Sequence, residues 1–142
     1  MRAQLALFEI EPKIQQPDKV VNVASIPQRS PFRYPGGKTW LIPIVRRWLS
    51  QDKHQAKCLI EPFAGGGIVS LTAAFEELAS SIIMVENDEE VAAVWEAILN
   101  GKNEWLANKI YNFELTHKNV IAEFENPKKQ IQDIAFCTIL VN

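Results

Sequence analysis

Five of the six glycines in this 142-residue chain fall into two clusters, Gly36-Gly37 and Gly65-Gly66-Gly67. Backbone freedom is thus concentrated at two points where a ligand can approach closely. The second cluster follows the apolar run Cys58-Leu59-Ile60 and the residues Glu61-Pro62-Phe63, the pattern of a buried strand entering a tight turn. A glycine turn after a first strand exposes backbone N–H groups at a helix start, and an acid ending the second strand can accept two hydrogen bonds from ribose hydroxyls. Glu86, directly after Ile82-Ile83-Met84-Val85, is such an acid. Both features serve an adenosine-containing cofactor, although a crowded turn also calls for small residues.

Other chemistries fit less well. A dinucleotide fingerprint G-x-G-x-x-G would use Gly65 and Gly67 but meets Ser70 at its third position, while Glu86 lies at about the right distance. A nicotinamide- or flavin-binding Rossmann protein is therefore the alternative reading. A phosphate loop ending at Gly37-Lys38-Thr39 needs glycine where Phe32 stands, and no clear strand precedes it. Cys58 and Cys137 have no pairing pattern, and His54 and His117 do not assemble a metal site. Both cysteines sit in apolar runs and are expected in the core.

The elements that must position these residues follow from periodicity. Residues 1–30 have no sustained period and read as a loosely ordered N-terminal arm. Trp40, Leu41, Ile44, Val45, Trp48 and Leu49 recur at helical spacing with Arg46 and Arg47 opposite, and Pro43 is tolerable near the first turn. Ile68, Leu71, Phe75 and Leu78 predict the helix after the glycine turn. Asn87 is the expected cap of a further helix carrying Glu90, Val91, Val94, Trp95 and Ile98, which stops at Asn100-Gly101. Beyond residue 101 the pattern is only helical, with Leu106, Ile110, Phe113, His117, Ile121 and Phe124 forming one stripe expected to pack in the core, His117 packed or half-exposed within it. The expectation is an α/β fold, a partial Rossmann-like domain over 31–101 with an appended helical segment over 102–142.

Three segments, in order, carry a family resemblance: Phe32-Arg33-Tyr34-Pro35-Gly36-Gly37-Lys38, Glu61-Pro62-Phe63-Ala64-Gly65-Gly66-Gly67 and Val85-Glu86-Asn87-Asp88. They resemble the first three cofactor motifs of the Dam-like (D12 class) DNA adenine-N6 methyltransferases, and Ile139-Leu140-Val141-Asn142 resembles the start of that family's Leu-x-Asn-Arg segment. The resemblance implies S-adenosylmethionine as cofactor, with Tyr34 and Lys38 against it and Lys38 at its amino-acid end. Pro35, Gly36 and Gly37 belong to the same motif. Phe63, Gly65 and Gly67 would floor the methionine moiety, Glu86 would take the ribose hydroxyls, and Glu61 would orient the glycine loop or satisfy loop amides.

The family reaction transfers a methyl group to adenine N6 of duplex DNA, which requires a flipped adenine on an aromatic ring. The resemblance places that ring in a Pro-Pro-aromatic motif. All eight prolines here are isolated, so the motif is not in this sequence. With only two convincing strands and a last helix that meets no stop signal, the chain reads as the N-terminal half of such an enzyme, truncated by a premature stop or split gene, inactive alone and completed by a complementary C-terminal chain. A noncatalytic partner subunit is the neighbouring reading.

Charge agrees with a polyanionic partner. Residues 1–60 carry ten Lys/Arg against four Asp/Glu, a net of +6, and the remainder carries five against thirteen, a net of −8. No apolar run approaches the roughly 20 residues of a membrane helix, and Glu9 comes too early for a secretory signal, so a cytoplasmic location is expected.

Overall fold

The computed structural model describes residues 23–51, 55–127 and 130–142; His54 and residues 1–22 of the expected arm lie outside them. Two parallel strands, β1 (Leu59–Pro62) and β2 (Ile82–Val85), pair with Leu59 opposite Ile82 and Pro62 opposite Val85. Period two sorts their side chains: Leu59 and Glu61 are buried, Ile82 and Met84 half-buried, and Ile60, Ile83 and Val85 exposed. The same alternation corrects the expectation for Cys58. One position ahead of Leu59 it falls on the outer side and is exposed, whereas Cys137 is buried; both are free thiols.

A 3-10 turn over Lys38–Leu41 runs into α1 (Ile42–Leu49), whose first turn accommodates Pro43 because the missing N–H would have no partner there. The buried face of α1 is Ile42 and Val45, so the expected apolar side is split: Trp40, Ile44 and Trp48 are exposed. Arg46, expected to face away, reaches Glu76 through Nε at 2.7 Å and one terminal nitrogen at 2.6 Å. Arg29 joins the same carboxylate at 2.9 Å.

Between the strands runs α2 (Ile68–Phe75), which stops short of Leu78. Glu77 takes a left-handed φ of 52°, and the Leu78 amide closes the turn onto the Ala73 carbonyl at 2.9 Å. Phe75 turns outward, its ring centroid 5.3 Å from the Arg29 guanidinium.

After β2, α3 (Glu89–Leu99) is capped by Asp88 rather than Asn87: the Asp88 carboxylate accepts the Glu90 amide at 3.0 Å and the Val91 amide at 3.3 Å. The Asn87 and Asp88 amides are both donated to Glu86, and it is the Asp88 side chain that lies over the first amides of α3. The expected single stripe over 106–124 is two helices, α4 (Asn103–Asn112) and α5 (His117–Glu125), separated where Thr116 turns extended and caps Asn119 at 3.2 Å. Of that stripe only Leu106 is buried; Phe113 is half-buried against Phe136, and Ile110, His117, Ile121 and Phe124 are exposed. The last helix, α6 (Ile131–Val141), packs along α3.

Two buried clusters result. One joins Val91, Val94, Trp95 and Ala97 of α3 to Ala135 and Phe136 of α6, with Phe32 on top; the alanines let the helix axes approach. The other joins Ile42 and Val45 to Leu59, Ile68, Val69 and Ala73. Ile26, 3% exposed, belongs to the second cluster, so the chain is docked from residue 26 onward rather than from 31. Each fully buried aliphatic side chain contributes about 1.5–3 kcal/mol.

Candidate functional site

The sheet delivers two glutamates to the same end of the strands, Glu61 inside β1 and Glu86 just past β2. Between them the chain turns sharply through Phe63 (φ 56°), Gly65 (φ 53°) and Gly67 (φ 63°). Gly67 is required on two counts, because a β-carbon there would also stand 2.7 Å from both Met84 Cε and Trp95 Cζ2. A β-carbon on Gly65 would strike the Tyr34 ring at 2.7 Å, so the Tyr34 segment seals the turn from outside. Phe63 is left-handed without being glycine, a conformation that costs about 1–3 kcal/mol unless the surroundings hold it. Lys38 supplies that hold, with Nζ donating to the Phe63 carbonyl at 2.5 Å.

Glu61 is 4% exposed and anchors the start of α2: its Oε2 accepts the Ser70 amide at 2.8 Å and the Ser70 hydroxyl at 2.6 Å. Its Oε1 lies 3.2 Å from Lys38 Nζ, close enough for charge neutralisation but off hydrogen-bond direction, and so has no hydrogen-bond donor. Lys38 thus ties the Tyr34 segment to β1 and to the glycine turn at once.

Glu86 is half-buried and also occupied. Oε2 accepts the Gly65 amide at 2.6 Å, and Oε1 accepts the Asn87 and Asp88 amides at 2.8 and 3.0 Å. Burial by itself pushes this carboxyl up, but the three amides of Asp88, Gly65 and Asn87 outweigh it and hold the group below the ordinary carboxylate range.

In front of the turn opens a cleft of about 650 Å³, within the range of small-molecule sites. Of the residues singled out in the sequence, Tyr34, Gly36, Gly37 and Lys38 line it together with Ala64 and Gly66. The Tyr34-Pro35-Gly36-Gly37 segment is a β-turn closed by the Gly37 amide on the Tyr34 carbonyl at 3.2 Å. Pro35, Glu61, Phe63, Gly65, Gly67 and Glu86 do not line the cleft; they stand behind or beside it and shape the turn. Among the described residues no His, Cys, Asp and Glu group could hold a metal ion, and no helix is long and apolar enough to cross a membrane.

Two contributors escape periodicity. Trp95 reads in sequence as part of the apolar face of α3, yet its Nε1 donates to the Gly65 carbonyl at 2.7 Å. Ser70 reads as a broken fingerprint position, yet both its amide and its hydroxyl bind Glu61. A tryptophan is the one large apolar side chain carrying a ring N–H donor, so its type is the only signal that Trp95 offers.

Helices with a small parallel sheet, turned through glycines between acids, are compatible with an α/β methyltransferase-like fold. The chain belongs to the D12 class N6 adenine-specific DNA methyltransferase family, whose model matches residues 34–134. No curated protein and no solved structure gives a significant match.

Proposed function

We propose that the chain binds S-adenosylmethionine in the cleft before the glycine turn and serves methyl transfer to adenine N6 of duplex DNA. The observation that carries this is the convergence of Tyr34, Lys38 and Glu86 on one strained turn by direct bonds or contact, with Glu61 joined to it through Lys38. Beside the cleft stand a lysine ammonium and a buried carboxylate oxygen without a hydrogen-bond donor, the complementary pair that the carboxylate and ammonium of an amino-acid moiety call for. Glu86 has about four lone-pair positions and uses three on amides. One ribose hydroxyl can take the fourth, and a second would require one amide to let go.

When bound, S-adenosylmethionine supplies an electrophilic methyl group on its sulfonium. The residues of this chain bind and orient it: Lys38 and Tyr34 from the outer wall, the glycine turn from below, Glu86 from the end of β2. The Pro-Pro-aromatic motif that would hold the target adenine in the resemblance has no counterpart in these residues. Transfer is therefore assigned to this chain acting with a complementary chain or segment that carries such a motif.

Calorimetric titration with S-adenosylmethionine tests the reading, with Lys38→Ala and Glu86→Ala as comparisons. Binding by the unaltered chain that weakens by about tenfold or more in both variants is expected, since each would lose a charge-assisted hydrogen bond. Equal affinity in all three proteins would refute the site assignment. Transfer of tritiated methyl to unmethylated DNA by the isolated chain would refute the need for a second part.

A further inference from the structure

We propose that Trp95 is a positioning residue for the ligand-facing side of the glycine turn: its indole N–H pins the Gly65 carbonyl and so turns the Gly66 N–H toward the cleft, as a donor for a carboxylate or other anionic oxygen of the ligand. This rests on the cofactor reading above.

No peptide bond among the described residues is cis, so the Gly65 carbonyl and the Gly66 N–H point in opposite directions across one planar unit. The carbonyl is fixed inward by Trp95 Nε1 at 2.7 Å, a bond buried from water. The Gly66 N–H therefore faces the other way, and Gly66 is the middle residue of the turn and part of the cleft wall. That amide has no acceptor among the described residues, whereas its neighbours do: the Ala64 amide binds the Val85 carbonyl, the Gly65 amide Glu86, and the Gly67 amide the Ala64 carbonyl. With the Ala64, Gly65 and Gly67 amides satisfied, the open Gly66 donor beside the cleft is a ligand contact waiting for its acceptor.

Packing alone does not account for Trp95. Its contacts with Phe32, at a centroid distance of 6.0 Å, and with the space under Gly67 could be made by other large apolar side chains, but the bond to Gly65 needs a ring N–H. The ring also stands on firm ground, because Trp95 is 6% exposed on α3, and α3 is backed by the buried Ala135 and Phe136 of α6. With glycine on both sides of it, the 65–66 peptide has the backbone freedom to rotate once its carbonyl is released.

The test uses the full chain with Trp95→Phe, and with Trp95 replaced by 3-benzothienylalanine, which keeps the bicyclic shape and removes only the N–H. Two signals are read: the amide resonance and hydrogen exchange of Gly66 by NMR, and S-adenosylmethionine affinity by calorimetry, with Trp105→Phe as control. We expect both Trp95 variants to shift the Gly66 amide and to bind about tenfold more weakly, while the amides of α4 and α5 stay in place. Should Trp95→Phe not fold, the benzothienyl protein decides. Unchanged Gly66 signals, or unchanged affinity where the parent binds, would overturn the proposal. If the parent chain does not bind S-adenosylmethionine, the cofactor reading falls, and the Gly66 amide alone decides whether Trp95 sets the turn.

Discussion

The ends of the two strands make the same exit in different ways. Glu61 on β1 is shut away from water and bound by Ser70 and Lys38, whereas Glu86 after β2 is half-open and holds the Gly65, Asn87 and Asp88 amides. The first carboxylate fastens elements together: β1, the start of α2 and the Lys38 segment. The second steadies a turn that a ligand must also reach. The contrast teaches that two acids at the same end of a sheet can be shut in or left half-open by what packs on them, and that this access to water, not the count of unfilled acceptor positions, separates them.

Substitutions can break this contrast, and the largest effect is expected at the shut end. Glu61→Ala strips acceptors from the Ser70 amide and hydroxyl and leaves Lys38 without its counter-ion, and should destabilise the fold by about 3 kcal/mol in a urea titration. A loss no larger than that of an exposed glutamate would place Glu61 outside the fastening role. Next comes Gly67→Ala, where a left-handed φ and two contacts at 2.7 Å coincide. A cost of about 2–3 kcal/mol is expected by the same titration.

At the open end, Glu86→Gln should cost only about 1 kcal/mol at neutral pH, because a neutral amide oxygen still accepts some of the three N–H groups. Its sharper signature is in acid. A carboxyl held below its ordinary value of 4.5 stabilises the fold above the unfolded-state pKa, and that contribution is lost as pH falls through the depressed folded-state value. Melting temperature should therefore drop below about pH 4.5 in the parent, and the drop should be shallower in Glu86→Gln. A parallel pH profile for the two proteins would contradict the bonds drawn to Glu86.

The smallest effect serves as a reference away from the turn. Glu76 is also held low, chiefly by its hydrogen bond to Arg46, with burial opposing and Arg29 assisting. The group is partly open to solvent, so Glu76→Gln should cost about 1 kcal/mol or less, removing a separate part of the acid sensitivity and leaving ligand affinity unchanged. Coupling between Glu76→Gln and Glu86→Gln in a double-variant comparison would show that the two ends communicate through α2.

Much of the site could be read from residue types. The strand of Ile82–Val85, the helix after Gly67 and the helix stop at Asn100 stand where an apolar run, helical spacing and the Asn-Gly signal put them. Competing local bonds were less legible. Asn87 and Asp88 are both good caps by type, and only the placement of the Asp88 carboxylate over the Glu90 and Val91 amides decides between them. Phe113 to Thr116 lies inside an unbroken helical stripe, and the break appears only because Thr116 can cap a new helix at the price of ending the old one. The exposure of Cys58 depends on the register of a strand four residues long, a single step of which exchanges its faces.

By itself the sequence determined where the backbone can bend left-handed, where strands end in acids, and which motif order the chain shares with its family. Those are local properties: glycine lacks a β-carbon, alternation has period two, and motifs are contiguous. The tertiary structure alone decided which acid is buried and which stays half-open, and that Trp95, thirty residues away in the chain, holds the Gly65 carbonyl. Such pairings join partners far apart in sequence, and only packing brings a donor within about 3 Å of its acceptor.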